Sequence, residues 1–266
     1  MKLTLFLTEQ CNRKCKYCDI GNLKKRNKPP LIYLKKYLPI IRDKSSIDKV
    51  VLTGGEIGLL SETILDYIFE ILQTKNIHVN TNGLFIQRYY KKYKEYINTI
   101  MCHPVSEINE EFNPYDIKNI NYHFPVHKQN IYLLDDFLNR YKDITFEISP
   151  YDSKLKQSKF ELNHDDYQTI YKIIKNKNAT IYSKNLFFKI LMIWNKQEKY
   201  RKICREKSND FSIDLVYGKI KKCVCSHTNS ASIDLTINNL NDMLKIKFDN
   251  SDVCNTCFHF INNIKV

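Results

Sequence analysis

The strongest restriction on the fold is a repeating order of short apolar run, turn and helix-period segment. LTLFL (3–7) opens the chain and leads directly into a polar loop. IDKVVLTGG (47–55) ends in paired glycines, and ETILDYIFEILQTK (62–75) then carries the 3.6-residue period of a helix that starts after Ser61. IHVNTNG (77–83) reads as strand and turn, 86–95 as helix and YINTIMCHP (96–104) as strand. INYHFPV (120–126), ITFEISP (144–150) and LFFKILMIW (186–194) are further strands, with helices near 131–141 and 165–176. Strands separated by helices are joined by crossovers, so the pattern predicts an α/β fold with a parallel sheet, open or closed into a barrel.

The 266 residues are 43% hydrophobic and 27% charged, a globular composition with enough apolar side chains for a substantial core. After Trp194 the pattern changes. NKQEKYRKICREKSND is polar, SIDLVYGKIKKC reads as a β-hairpin turning near Gly218, and a short helix is expected at 238–246. A boundary near 195–203 divides the chain into a βα domain over 1–200 and a small cysteine-rich appendage over 201–266.

Residues 1–10 lack a secretory pattern and no run reaches the eighteen apolar residues of a membrane helix, so a soluble cytoplasmic protein without a membrane partner is expected. The net charge is +13, but the lysines are scattered beside asparagine and isoleucine. No dense basic stripe interleaved with aromatics is present, which gives no support to a nucleic-acid partner.

Nine cysteines fall at 11, 15, 18, 102, 204, 223, 225, 254 and 257. An odd total without a leader argues against a disulfide framework, and clustering at both ends argues for metal sites. In CNRKCKYC the gaps are three and two residues. A structural zinc site uses four ligands, commonly as two pairs, and this loop has neither a second pair nor a histidine. Three thiolates without a local fourth suit a cubane [4Fe–4S] cluster whose remaining iron is open to another ligand.

Cys11, Cys15 and Cys18 in this spacing, with Tyr17 before the last, resemble the defining motif of the radical S-adenosylmethionine (SAM) enzymes, and they follow the first strand as that family requires. LTGGE (52–56) resembles the family's glycine-glycine-glutamate motif, and NTNG (80–83) another recurrent element; the usual proline after the glutamate is Ile57 here. The resemblance covers roughly 1–194. It implies a partial (β/α)6 barrel with the cofactors at the carboxyl ends of the strands. SAM would chelate the open iron and be cleaved by the reduced cluster to an adenosyl radical, with a flavodoxin- or ferredoxin-type protein as electron donor. The same resemblance assigns Cys11, Cys15 and Cys18 as metal ligands. Gly54 and Gly55 become the points of close approach to the methionine moiety, and Glu56 the acceptor from its ammonium. Tyr17, Asn80, Asn82, Glu147 and Ser149 are further cofactor-binding candidates. Asn80 and Asn82 equally suit turn formation, and Glu147 and Ser149 ordinary strand-end polarity.

The second group runs Cys204, thirteen residues to Gly218, four to Cys223, then Cys225, and Cys254 and Cys257 two residues apart. By spacing alone four such thiolates make a structural zinc site. Beside the first motif they resemble the twitch module, a shortened relative of the SPASM domain. That implies one auxiliary [4Fe–4S] cluster held by Cys204, Cys223, Cys254 and Cys257, with Cys225 either replacing Cys223 or staying a thiol beside the cluster. Cys102 and Cys225 then remain as candidate hydrogen donors to a substrate radical; Cys102, next to His103, also fits a buried small hydrophobe.

The resulting expectation is a radical SAM oxidoreductase acting on a small hydroxylated or sugar-derived substrate, with the auxiliary cluster accepting an electron. The alternative is a peptide-modifying enzyme, a crosslinking maturase or an epimerase with a cysteine hydrogen donor. A zinc-stabilised binding protein is a third class, which fits CNRKCKYC with LTGGE poorly. Because the cluster loop begins at residue 11, no preceding peptide-recognition domain is expected, which favours a small or sugar-like substrate, or peptide recognition supplied by the barrel, the appendage or a separate partner. The loop 103–116 offers Glu107, Glu110 and Glu111 to a cationic substrate or to solvent.

Overall fold

The computed structural model describes residues 1–15, 18, 27–103, 117, 119–150, 160, 162–175, 211–221 and 232–242. Within them the expected alternation is realised. The strands are β1 (Lys2–Phe6), β2 (Lys49–Thr53), β3 (Asn76–Thr81), β4 (Ile97–Cys102), β5 (Ile120–Val126) and β6 (Thr145–Pro150). Helices α1 (Leu31–Asp43), α2 (Glu62–Leu72), α3 (Leu84–Tyr93), α4 (Ile131–Arg140) and α5 (His164–Lys175) follow β1, β2, β3, β5 and β6. All six strands are parallel and lie side by side in chain order, the arrangement of a radical SAM type (β/α) barrel sheet. No described helix is long and apolar enough to cross a membrane.

The two faces of the sheet differ because side chains alternate along each strand. On β5, Ile120, Tyr122, Phe124 and Val126 are buried, and Tyr122 meets Phe137 and Tyr141 under α4. Asn121, His123 and Pro125 alternate with them and are only half-buried, so the face away from α4 is the polar one. The helices carry matching apolar stripes: α2 buries Leu65, Ile68, Phe69 and Leu72, and Phe69 stacks on Tyr93 of α3 at 4.5 Å.

Helix α1 is absent from the strand and helix pattern read above. It buries Leu34, Tyr37, Leu38 and Ile41 at helical spacing, yet contains Lys35, Lys36 and an internal Pro39, which lacks a backbone donor and normally breaks a helix. Packing of the apolar stripe outweighs that local cost.

The expected hairpin is present, as β7 (Phe211–Asp214) and β8 (Lys219–Lys221), followed by β9 (Ser232–Asp234) and a short α6 (Ile237–Asn241). It continues the main sheet. Strand β7 pairs in parallel with β1 on the edge opposite β2, with Leu3 opposite Phe211 and Phe6 opposite Asp214. Among the described residues nine strands therefore form one sheet, ordered β6-β5-β4-β3-β2-β1-β7-β8-β9. Helix α1 covers the join: Tyr33 packs on Gly218, the Tyr37 hydroxyl donates to the Leu235 carbonyl at 2.5 Å, and Lys44 Nζ donates to that of Asn241 at 3.0 Å. Phe211, Ile213, Ile220, Leu235 and Leu240 belong to the same core as Leu3 and Leu5. The strand expected at 186–194 and the boundary near 195–203 lie outside the described residues.

Candidate functional site

The cysteine loop leaves the sheet at the carboxyl end of β1 and is fixed there by backbone. Leu7 N donates to Thr53 O at 2.8 Å, Gly55 N to Thr8 O at 2.5 Å and Glu56 N to Gln10 O at 2.6 Å. The loop after β2 thus lies directly against the segment entering the cysteine loop. A Cβ on Gly54 would meet the Thr8 backbone, and one on Gly55 the backbone of Gln10 and Glu9; Gly54 also has φ +150°. Chain-on-chain contact is sufficient reason for both glycines.

Cys11, Cys15 and Cys18 are half-buried. The turn between the last two is closed by Cys18 N donating to Cys15 O at 3.0 Å. Cys11 Sγ accepts from Arg13 N at 3.4 Å and from Asn82 Nδ2 at 3.5 Å, and the Asn82 amide also reaches Asn12 Oδ1 at 2.9 Å. Asn82 is therefore brought to the cysteine loop from the turn after β3. Asn80 instead bridges strands, its Nδ2 lying 3.4 Å from Thr53 Oγ1.

Glu56 is held by donors from its own chain. It has no exposed surface, and its carboxylate accepts from Gly58 N at 2.8 Å, Thr81 Oγ1 at 2.9 Å, Asn82 N at 2.6 Å and Phe85 N at 3.2 Å. The expected acceptor from a ligand ammonium is thus engaged within the chain. It joins the β2 loop to the first turn of α3, whose own N-cap, Gly83, has no side chain to offer. Burial raises the carboxyl above its usual range, and the hydrogen bonds from Asn82, Gly58, Thr81 and Phe85 oppose that rise. The sequence reading missed Thr81 and Gly58 in this arrangement, although Thr81 lies inside NTNG and Gly58 two residues after LTGGE.

The strand ends of β4, β5 and β6 bring a second group together. Cys102 pairs with Tyr122 and His123 with Glu147 in the ladder, which sets His103 beside His123. Their Nδ1 atoms are 2.8 Å apart, so one imidazole donates and the other accepts. Burial, then His123, push His103 down to about 3 against the opposing pull of Glu147, so His103 is neutral at pH 7. His123 carried no signal in the sequence beyond its place among the half-buried alternates of β5.

Cys102 faces the other way. It is 1% exposed within the apolar core beside Ile100, and burial pushes its thiol up to about 12. This placement fits the small buried hydrophobe that the sequence offered as the alternative for Cys102. Glu147 is half-buried on the polar face, and Ser149 pairs with Pro125 through the β6 backbone. Tyr17, Cys204, Cys223, Cys225, Cys254 and Cys257, with Glu107, Glu110 and Glu111, lie outside the described residues.

No three His, Cys, Asp or Glu side chains among the described residues converge as the ligands of a single metal ion. The three loop cysteines suit an iron–sulfur cluster, whose thiolate ligands are spread around several irons. The donors on Cys11 Sγ match the hydrogen bonds that tune such sulfurs.

Structural likeness extends over most of the chain. The enzyme anSMEcpe with bound AdoMet superposes with a TM-score of 0.65 at 13% identity, covering 90% of this chain and 79% of that one. SuiB of Streptococcus suis bound to precursor peptide SuiA gives 0.62 at 16% identity, covering 98% and 72%. In sequence, GTP 3′,8-cyclase of Aquifex aeolicus is 33% identical over 100 residues, and that of Alkaliphilus oremlandii 30% over 99. Each alignment takes in 35% of this chain and only 31% of the relative. The Radical SAM superfamily model matches residues 5–149, more than half of the chain and nearly all of β1 to β6. On that match the chain belongs to the radical SAM superfamily.

Proposed function

We propose that this enzyme holds a [4Fe–4S] cluster on Cys11, Cys15 and Cys18 with SAM beside it, and that it modifies a peptide. When bound, the cluster and SAM supply one-electron, hydrogen-abstracting chemistry. The chain's residues fix where that chemistry acts. Asn82 donates to the Cys11 sulfur, and the loop at Gly54–Glu56 is held against Thr8–Gln10, leaving its backbone in place for the methionine end of SAM. The His103–His123 pair, with Glu147 next in the ladder, can pass a proton between its ring nitrogens on the polar face.

The peptide reading is carried by the fold shared with two enzymes whose structures hold peptides. These are SuiB with SuiA and anSMEcpe with the Cp18Cys peptide; the latter match covers 98% of this chain and 87% of that one. This displaces the small hydroxylated or sugar-derived substrate as first choice. That second reading is supported by the polar face, where Asn121, His123 and Glu147 offer hydrogen bonds suited to hydroxyl groups. The auxiliary cluster on Cys204, Cys223, Cys254 and Cys257, the cysteine hydrogen donor at Cys225, the flavodoxin- or ferredoxin-type electron donor and a reducing cytoplasmic location complete the proposal.

The test is anaerobic reconstitution, iron and sulfide quantification, and 5′-deoxyadenosine release from SAM under dithionite, in the presence of either short peptides encoded beside this gene or aminoglycoside alcohols. Two clusters give about eight irons per chain, falling to about four in the triple alanine variant of Cys11, Cys15 and Cys18. Peptide-dependent 5′-deoxyadenosine release with a mass change in the peptide is expected. Release driven by the alcohols alone would move the assignment to the small-substrate dehydrogenase.

A further inference from the structure

The cysteine loop leaves the fold at Glu9 and returns at Asn27, and these two residues hold each other. Glu9 N donates to Asn27 O at 2.9 Å and Asn27 N donates to Glu9 Oε2 at 3.1 Å. The other carboxylate oxygen, Oε1, accepts from the hydroxyl of Tyr217 at 2.8 Å, and Asn27 Nδ2 donates to that same hydroxyl at 3.1 Å. Tyr217 comes from the β7–β8 turn, 208 residues away from Glu9 in sequence.

We propose that Tyr217 is a positioning residue for the cysteine loop, its hydroxyl closing a clasp with Glu9 and Asn27 that ties the neck of the loop to the C-terminal hairpin. The proposal rests on the reading of Cys11, Cys15 and Cys18 as cluster ligands.

Three observations carry it. Glu9 is only 5% exposed, and a carboxylate so placed needs donors on both oxygens; Asn27 supplies one and Tyr217 the other. Tyr217 is 52% exposed, so burial of its ring does not account for its position, whereas the bridging hydroxyl does. The turn bearing it is fixed from behind: Val216 N and Tyr217 N both donate to Asp214 Oδ1, and Gly218, at φ +63°, packs on the Tyr33 ring. A turn fixed in this way therefore meets the loop where Glu9 and Asn27 come together. The same turn leads through β8, ending at Lys221, toward Cys223 two residues on, so the segment that steadies the first cysteine group runs into the second. Loss of the hydroxyl leaves Glu9 Oε1 buried without this donor, and the neck opens to hydrate it.

Tyr217→Phe in the full chain tests this, with Tyr132→Phe, a 73% exposed ring on α4, as control. In the metal-free protein, amide hydrogen exchange over residues 8–10 and 27–28 is expected to rise about tenfold in Y217F, with β5 and α4 unchanged. In the reconstituted protein, iron content is expected to stay at the wild-type value. The SAM concentration that half-completes the change in the EPR spectrum of the reduced cluster is expected to rise several-fold. Neck exchange within about twofold of wild type, or a SAM titration that superimposes on it, would overturn the proposal. A wild-type protein whose spectrum ignores SAM would instead sink the cofactor reading, while the exchange arm still decides whether the clasp exists.

Discussion

Glu56 has four donors from three segments packed on one carboxylate, and removing it strands them together. Glu56→Ala leaves Gly58 N, Asn82 N, Phe85 N and the Thr81 hydroxyl buried without this acceptor, and is expected to cost about 3 kcal/mol or more in urea unfolding. Glu56→Gln keeps one acceptor but turns an amide toward a backbone N–H, and about half that loss is expected. The histidines set the acid limb. Burial lowers His103 from 6.5 to about 3, and His78 and His127 to about 4, so the unfolded chain binds protons that the fold does not as pH falls through 6.5. Stability should therefore fall on acidification from about pH 6.5 toward 4, by at most ~1.4 kcal/mol per pH unit per histidine and by less for the half-exposed His78. The raised carboxyl of Glu56 acts oppositely, adding stability as pH drops toward its unfolded value of 4.5. Urea midpoints at pH 7 and 5 check the balance: His103→Asn should flatten the acid loss, and an unchanged slope would show that His103 already carries a proton in the fold. The cysteines and glycines of this site were legible because their chemistry is local. Glu56's engagement was not, since Thr81 lies 25 residues away and only folding makes it a neighbour.

Among elements, the junction between the β2 loop and the entry to the cysteine loop is the least tolerant of added volume. Gly55→Ala would drive a methyl into the Gln10 backbone, which cannot swing aside as a flexible side chain would. A loss of ~2 kcal/mol or more is expected, with iron on the loop falling further than the thermal midpoint alone accounts for, measured as iron per chain after desalting. The strands β1 to β6 were readable because short apolar runs bounded by turns leave few alternatives. Helix α1 was not: Lys35, Lys36 and Pro39 obscure a stripe whose members, Leu34, Tyr37, Leu38 and Ile41, still keep helical spacing. Choice of partner was also beyond the sequence. Nothing in SIDLVYGKIKKC announces that its first strand will lie parallel to β1, because that pairing depends on an edge that exists only once the sheet is built.

For the molecule as a whole, that pairing makes the last described strands part of the first strand's support. Ending the chain at residue 200 removes β7, β8, β9 and α6, bares the hydrogen-bonding edge of β1 and exposes the α1 surface under Tyr33 and Tyr37. Such a truncation is expected to aggregate, because a hydrophobic edge strand without a partner is a template for another chain. Recovery of a soluble monomer with native α-helical circular dichroism would show that residues 1–200 stand alone. The timing of biosynthesis follows from the same connection. Translation delivers the cysteine loop early, but Tyr217 and the strand that flanks β1 emerge from the ribosome only after nearly two hundred further residues. Iron delivered to a nascent chain would meet a loop whose neck has not yet been closed, so with the clasp proposed above, maturation of the loop waits until Tyr217 has been made and β7 has paired with β1.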